Sequence, residues 1–169
     1  AAAMTLFLGN FTNKVDRKGR VSLPAAFRDA LEGQSRKSVV LFPSIRTPDA
    51  IEGWRYDGIA DLNRQLGSLN LFSDELDAFA SAIFAHAVEA AVDNDGRILL
   101  APELRASAGI ELDDGAAFVG AGTWFLIWQP ARFEAQKAEM IEKARAQLRR
   151  GASISLSGRR GANDTSGGA

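Results

Sequence analysis

The sequence predicts an α+β fold assembled from two copies of one supersecondary unit. The first observation is a near-repeat: VDRKGRVSL at Val15–Leu23 returns as VDNDGRILL at Val92–Leu100, 77 positions later. The second is that the match runs on at constant offset, pairing Phe7 with Phe84, Gly19 with Gly96, Phe27 with Leu104 and Arg28 with Arg105. The third is a change of period inside each copy, from short β-rich runs to a brief helical pattern and back.

Each copy opens with an extended segment, GNFTNKVD or HAVEAAVD, that leads into a polar turn. Asp16 and Asp93 stand at the turn entrances, with Gly19 and Gly96 three residues on. Asp can accept from nearby backbone N–H groups, and Gly tolerates positive φ, so the pattern suits a tight reversal. The runs RVSL and RILL follow as strands, and then helices beside Pro24 and Pro102. These prolines suit a helix start, but they sit one position out of register, which leaves room for the two helices to begin differently. Gly33 is placed to end the first helix, on which Phe27 and Leu31 share a face. Further strands are expected at SVVLF (38–42) and within AAFVGAGTWFLIW (116–128), where the glycines mark a reversal or bulge rather than a dinucleotide loop.

Between the copies, Ile59, Leu62, Leu66 and Leu69 recur at helical spacing. A second helix is expected after an N-cap at Ser73, with Leu76, Phe79, Ala80, Ile83 and Phe84 on its apolar face. A last amphipathic helix carries Phe133, Met140, Ile141, Ala144 and Leu148 on one stripe. The expected organisation is a first module over 7–54, a helical connector over 55–83, a second module over 84–130, the amphipathic helix over 131–150 and a disordered Gly/Ser-rich tail over 151–169. Ala1–Ala3, ahead of Met4, read as a cloning remnant.

Composition narrows the chemistry. The 169 residues include no cysteine, so disulfides, thiolate metal ligands and a cysteine nucleophile are excluded. His86 is the single histidine and is expected to be structural; neither a nucleophile elbow nor a Walker-type loop is present. Asp113–Asp114 read as a turn, and WFLIW as core or subunit interface. No run approaches the roughly 20 apolar residues of a membrane helix, and the start lacks a signal-peptide pattern. The expectation is a non-enzymatic cytoplasmic protein with no cofactor, no metal, no membrane association and no small-molecule substrate.

The net charge of −1 hides an asymmetry. Between Phe11 and Leu31 lie Lys14, Arg17, Lys18, Arg20 and Arg28 against Asp16 and Asp29; the matched window of the second copy is net negative. Within each turn, Asp and Arg four apart (Asp16 and Arg20, Asp93 and Arg97) can fold into a charge-assisted pair that fixes the loop. DRKGR nevertheless carries three cations on one loop, which suits phosphates and base edges better than structure. DNDGR keeps the frame with Asn94 and Asp95 in place of two of them.

These paired units, KVDRKGRVSLPAAFRDAL and AVDNDGRILLAPELRASAGI, closely resemble the MraZ family, bacterial transcriptional regulators with two SpoVT/AbrB-like modules, over roughly Leu6–Leu148. The resemblance implies a pseudo-twofold swapped-hairpin β-barrel completed within one chain, with flanking helices. It also implies a homo-oligomeric ring that binds double-stranded DNA bearing tandem short repeats. Such a protein acts at the nucleoid, usually as a repressor of the division and cell-wall gene cluster. DNA contact is then expected from Arg20 first, beside Arg17 and Lys18, with Lys14 and Arg97 in support; Asp16, Gly19, Asp93 and Gly96 orient the turns. Arg28 and Arg105 have two open uses, phosphate contact or packing, and Arg159 and Arg160 of the tail are expected to be dispensable. A ring-forming scaffold without strong DNA recognition is the alternative, and a toxin-neutralising module ranks behind it.

Overall fold

The computed structural model describes residues 5–151. Ala1–Ala3 and the tail beyond Gly151, with Arg159 and Arg160, lie outside the described residues. The chain divides into two compact units, one ending at Phe133 and one beginning at Glu134.

The first unit is a mixed α+β body with antiparallel sheet. In the first copy, β1 (Asn10–Lys14), β2 (Arg20–Ser22), α1 (Ala25–Ala30), β3 (Ser38–Pro43) and β4 (Ala50–Arg55) follow in order. Then come α2 (Tyr56–Leu66), α3 (Asp74–Ala82) and a 3₁₀ turn at Phe84–His86. The second copy repeats the series with β5 (Val88–Ala91), β6 (Arg97–Leu99), α4 (Pro102–Ala108), β7 (Gly115–Gly120) and β8 (Trp124–Trp128), after which α5 (Pro130–Arg149) begins.

The copies exchange strands. β1 pairs with β7, with Phe11 opposite Phe118 and Lys14 opposite Gly115; β5 pairs with β3, with Val88 opposite Leu41 and Ala91 opposite Ser38. Adding or subtracting 77 converts one register into the other. The six-stranded sheet runs β1-β7-β8-β4-β3-β5, and β2 and β6 form a separate two-stranded ribbon. That ribbon is centred on Val21 opposite Ile98, which are themselves repeat equivalents. β1 lies against β2, and β5 against β6.

Neither copy could bury its apolar face alone. Phe7 and Phe27 from the first meet Phe118 and Phe125 from the second, with ring centroids 5.3 Å apart for Phe7–Phe27 and 5.0 Å for Phe7–Phe125. Edge-on ring contacts at this separation add to burial of the surface itself.

Several local expectations are refined. Both short helices start at equivalent places, because Pro24 and Ala101 are their N-caps with matching extended backbone (ψ 141° and 148°). The proline offset therefore shifts a proline from N-cap to first helical residue without shifting the helix. α1 ends at Ala30, before Gly33, which takes φ 80° in the following turn. β4 is an added strand: AIEGWR has no clean alternation, and Glu52 in its centre is buried. That carboxylate accepts from Ser44 Oγ at 2.7 Å and Trp54 Nε1 at 3.0 Å, and also pairs with Arg46. The GAGTWF segment is the expected reversal, with Gly122 at φ 86° between β7 and β8.

Ser73 caps α3, accepting from Leu76 N–H, yet no residue of α3 is buried. Ile83, just beyond it, carries the packing against Val40 and Phe42. The loop ahead of α3 leaves Leu71 and Phe72 exposed. His86 is exposed on its 3₁₀ turn. In the second unit, α5 continues as a charged helix in which Lys143 pairs with Glu139 and Arg149 with Glu142. Phe133, at its start and within the first unit, is buried.

Candidate nucleic-acid interface

Each Asp-x-x-Gly-Arg turn is built around its carboxylate. Asp16 Oδ1 accepts from the backbone N–H of Lys18 at 2.8 Å and of Arg20 at 2.9 Å, while Oδ2 accepts from Arg20 Nε at 3.2 Å. Asp93 repeats this with Asp95 N–H, Arg97 N–H and Arg97 Nε at 2.9, 2.9 and 3.2 Å. These donors hold both carboxyls below the ordinary aspartate value, the backbone N–H of the turn arginine first among them. Gly19 and Gly96 take φ of 82° and 76°, the conformation that closes the turn and that a side chain would strain.

Each turn is also clamped by the other copy. Leu100 N–H donates to Gly19 O at 2.8 Å, and Leu23 N–H donates to Gly96 O at 2.9 Å. Arg28 donates to Leu23 O at 2.7 Å and lies over Gly96, where an added Cβ would come within 2.7 Å of its Nη1. Arg105 donates to Leu100 O at 3.1 Å beside Gly19. Of the two uses open to Arg28 and Arg105, packing is the one the structure adopts.

Strand alternation then sorts the ribbon. Val21 and Ile98 point inward and are buried, whereas Arg20 and Ser22 on β2 and Arg97 and Leu99 on β6 share the outer face. Arg20 stands opposite Leu99, and Ser22 opposite Arg97. Beside this face, Lys18 is exposed without an ion-pair partner among the described residues, and Arg17 reaches Asp113 at 3.2 Å with 87% of its side chain exposed. Asp113 was legible only as a turn residue; its φ of 66° sets it in the ELDDGA turn that pairs with the base of the first loop through Val15.

The two halves differ in charge. Arg20 faces one carboxylate, but Arg97 meets Asp93 at 3.2 Å and Asp95, also at 3.2 Å. The position equivalent to Asp95 is Lys18, so the first turn is cationic where the second is neutralised. Lys14 is not brought into this group. It alternates along β1 with Asn13, whose amide reaches Ser22 O at 2.8 Å, so Lys14 projects from the opposite face of that strand. Ser22 and Leu99 were missed in the sequence because each looks like an ordinary strand residue until the ribbon pairing assigns its face.

The family model described as "MraZ protein, putative antitoxin-like" matches residues 6–75 and again 83–152, one match per copy. The chain belongs to the MraZ family. It is 42% identical over 145 residues to a protein of Gluconacetobacter diazotrophicus named transcriptional regulator MraZ, covering 84% of this chain and 90% of that one. A protein of the same name from Rickettsia akari is 42% identical over 131 residues, 78% of this chain and 86% of the relative. Another from Parvibaculum lavamentivorans is 38% identical over 156 residues, with coverage of 86% and 96%. These MraZ relatives are named for regulation of transcription and not for a reaction. Among the described residues no helix is long and apolar enough to cross a membrane, and no cluster of His, Cys, Asp or Glu could hold a metal ion.

Proposed function

We propose that this chain is a sequence-specific DNA-binding transcriptional regulator whose recognition surface is the outer face of the β2–β6 ribbon with the first turn. The observation that carries the reading is the set of three cations, Arg17, Lys18 and Arg20, displayed on a turn locked from both sides. A rigid cationic turn gives up little conformational entropy on meeting phosphates and base edges. Arg20 is the principal base contact and Arg17 and Lys18 the phosphate contacts. Arg97, held by two carboxylates, contributes less.

The finer reading follows the family resemblance. The exchanged strands are the swapped hairpins of a pseudo-twofold AbrB-like barrel, with the ribbon lying along both edge strands, and the modules span 7–54 and 84–130. Copies assemble into a ring that sets their turns along tandem short repeats, where the protein represses the division and cell-wall gene cluster at the nucleoid. Multivalence supplies what one turn lacks: linked sites raise apparent affinity by about 10²–10⁴.

The test is a titration of wild type and Arg20→Ala, at matched oligomeric state, against a duplex bearing tandem short repeats at several salt concentrations. Arg20→Ala should lose about 1–3 kcal/mol of discrimination. Arg17→Ala and Lys18→Ala should each lower the salt slope by about 1. Specific binding unchanged by Arg20→Ala would move recognition off the first turn. The exposed Leu71, Phe72 and Phe79 favour a second reading, an assembly scaffold. Failure of wild type to prefer any tandem-repeat duplex would establish that reading instead.

A further inference from the structure

We infer that Leu99 is a specificity-determining residue that reads the 5-methyl group of a thymine beside the base met by Arg20, an inference that rests on the DNA-binding reading above. Four features of the ribbon lead there.

Leu99 lies on the outer face and is 52% exposed, while Ile98 next to it is buried, so the core does not account for the leucine. It stands directly opposite Arg20 in the β2–β6 register. Directly opposed residues lie about 4.5–5.5 Å apart at Cα, and base pairs stack about 3.4 Å apart, so the two side chains can address one base pair and its neighbour. The side chain also has a fixed footing: a Cβ placed on Gly19 would lie 3.4 Å from Leu99 Cδ1, so the leucine leans on the turn that carries Arg20. Finally, the repeat equivalent of Leu99 is Ser22, opposite Arg97. The half of the ribbon whose turn carries the greater positive charge is thus also the half with a hydrocarbon group.

The chemistry of the partner follows from what a duplex offers. Phosphates, sugars and most base edges present polar atoms, whereas the thymine C5-methyl is the one apolar group that distinguishes a base in the major groove. An isobutyl group beside guanidinium groups that seek acceptors is matched there and nowhere else on that surface. Ser22, with a hydroxyl able to donate and accept, is indifferent among bases at the corresponding position of the other half. Each subunit consequently reads its repeat asymmetrically, with the thymine contact on the Arg20 side.

Duplexes that bind the full chain are first selected from a randomised pool. Each thymine of the selected sequence is then replaced singly by deoxyuridine, which removes the methyl group and keeps the pairing edge. Wild type should weaken by about fourfold at one thymine per repeat, the scale of one buried carbon group. Leu99→Ser and Leu99→Ala should bind the thymine and uracil duplexes equally, with thermal midpoint and assembly size unchanged. A wild type blind to every such replacement overturns the inference, and so does a uracil penalty that survives in Leu99→Ser. Breakdown of the assembly in both Leu99 variants would make the residue a contact between copies and overturn it too. Selection that yields no preferred duplex defeats the DNA-binding reading itself; a selected duplex with no methyl effect defeats only the role of Leu99.

Discussion

At the scale of single residues, the two arginines that follow each turn serve opposite ends. Arg20 and Arg97 project outward from their own Asp partners, while Arg28 and Arg105 reach back to backbone carbonyls of Leu23 and Leu100 and cover the opposite turn. Arg28→Ala removes a charge-assisted bond of 2.7 Å and should cost about 1.5–3 kcal/mol of stability, read from denaturant unfolding. The salt slope of DNA binding should not change; a drop in slope with unchanged stability would make Arg28 a phosphate contact after all. The turn carboxylates set a pH dependence. Asp16 and Asp93 are held below their ordinary value by backbone N–H donors first and by their arginines as well. The folded state therefore keeps them charged where the unfolded chain, with aspartates titrating near about 3.9, has begun to bind protons. Their stabilisation is complete above about pH 5 and is lost as pH falls through the depressed folded value. Carboxyl carbon shifts of Asp16 and Asp93 should give midpoints below the ordinary aspartate value. Midpoints at or above that value would mean the turns are open in solution.

At the scale of elements, the hairpins β3–β4 and β7–β8 show where the repeat loosens. The connection at 44–49 is longer than the one at 121–123, so the constant offset ends at these turns. Their second strands still pair with each other, with Gly53 opposite Phe125. Gly53 is small because that ring lies across it: an added Cβ would come within 2.2 Å of Phe125 Cζ, and Phe125 is fully buried. Gly53→Ala should destabilise by about 3 kcal/mol, at the upper end of overpacking costs, measured as a lowered denaturant midpoint at unchanged m-value. A neutral result would show that the ring has room to move. The same strand explains a blind spot. The buried Glu52, satisfied by Arg46, Ser44 and Trp54, interrupts any apolar pattern in AIEGWR, and it is the pairing with β3 and β8 that marks the segment as a strand.

At the scale of the whole molecule, the exchange of strands makes the copies interdependent. A fragment over 5–80 would hold β1 without β7 and β3 without β5, leaving Phe7 and Phe27 without Phe118 and Phe125. Neither this fragment nor its complement over 83–151 should fold as a monomer. Structure regained on mixing them, or through self-association, should depend on concentration when followed by circular dichroism. A monomeric fragment with native-like thermal unfolding would show that one copy suffices.

The repeat, the turns, most strands and the Asp–Arg pairs were legible in the linear chain, because a reversal is encoded by adjacent residues and a strand by its own alternation. The family could be read there too, from motifs that recur with their flanks. What local pattern cannot carry is the identity of a neighbour across the fold. The pairing of β2 with β6 assigns Ser22 and Leu99 to the outer face, and the apposition of the two copies turns Arg28 and Arg105 into clamps over each other's turns. The facing of Ser22 and Leu99 and the clamping of each turn depend on contacts between residues some 70–90 positions apart, and the free energy of such contacts exists only once both copies are folded together.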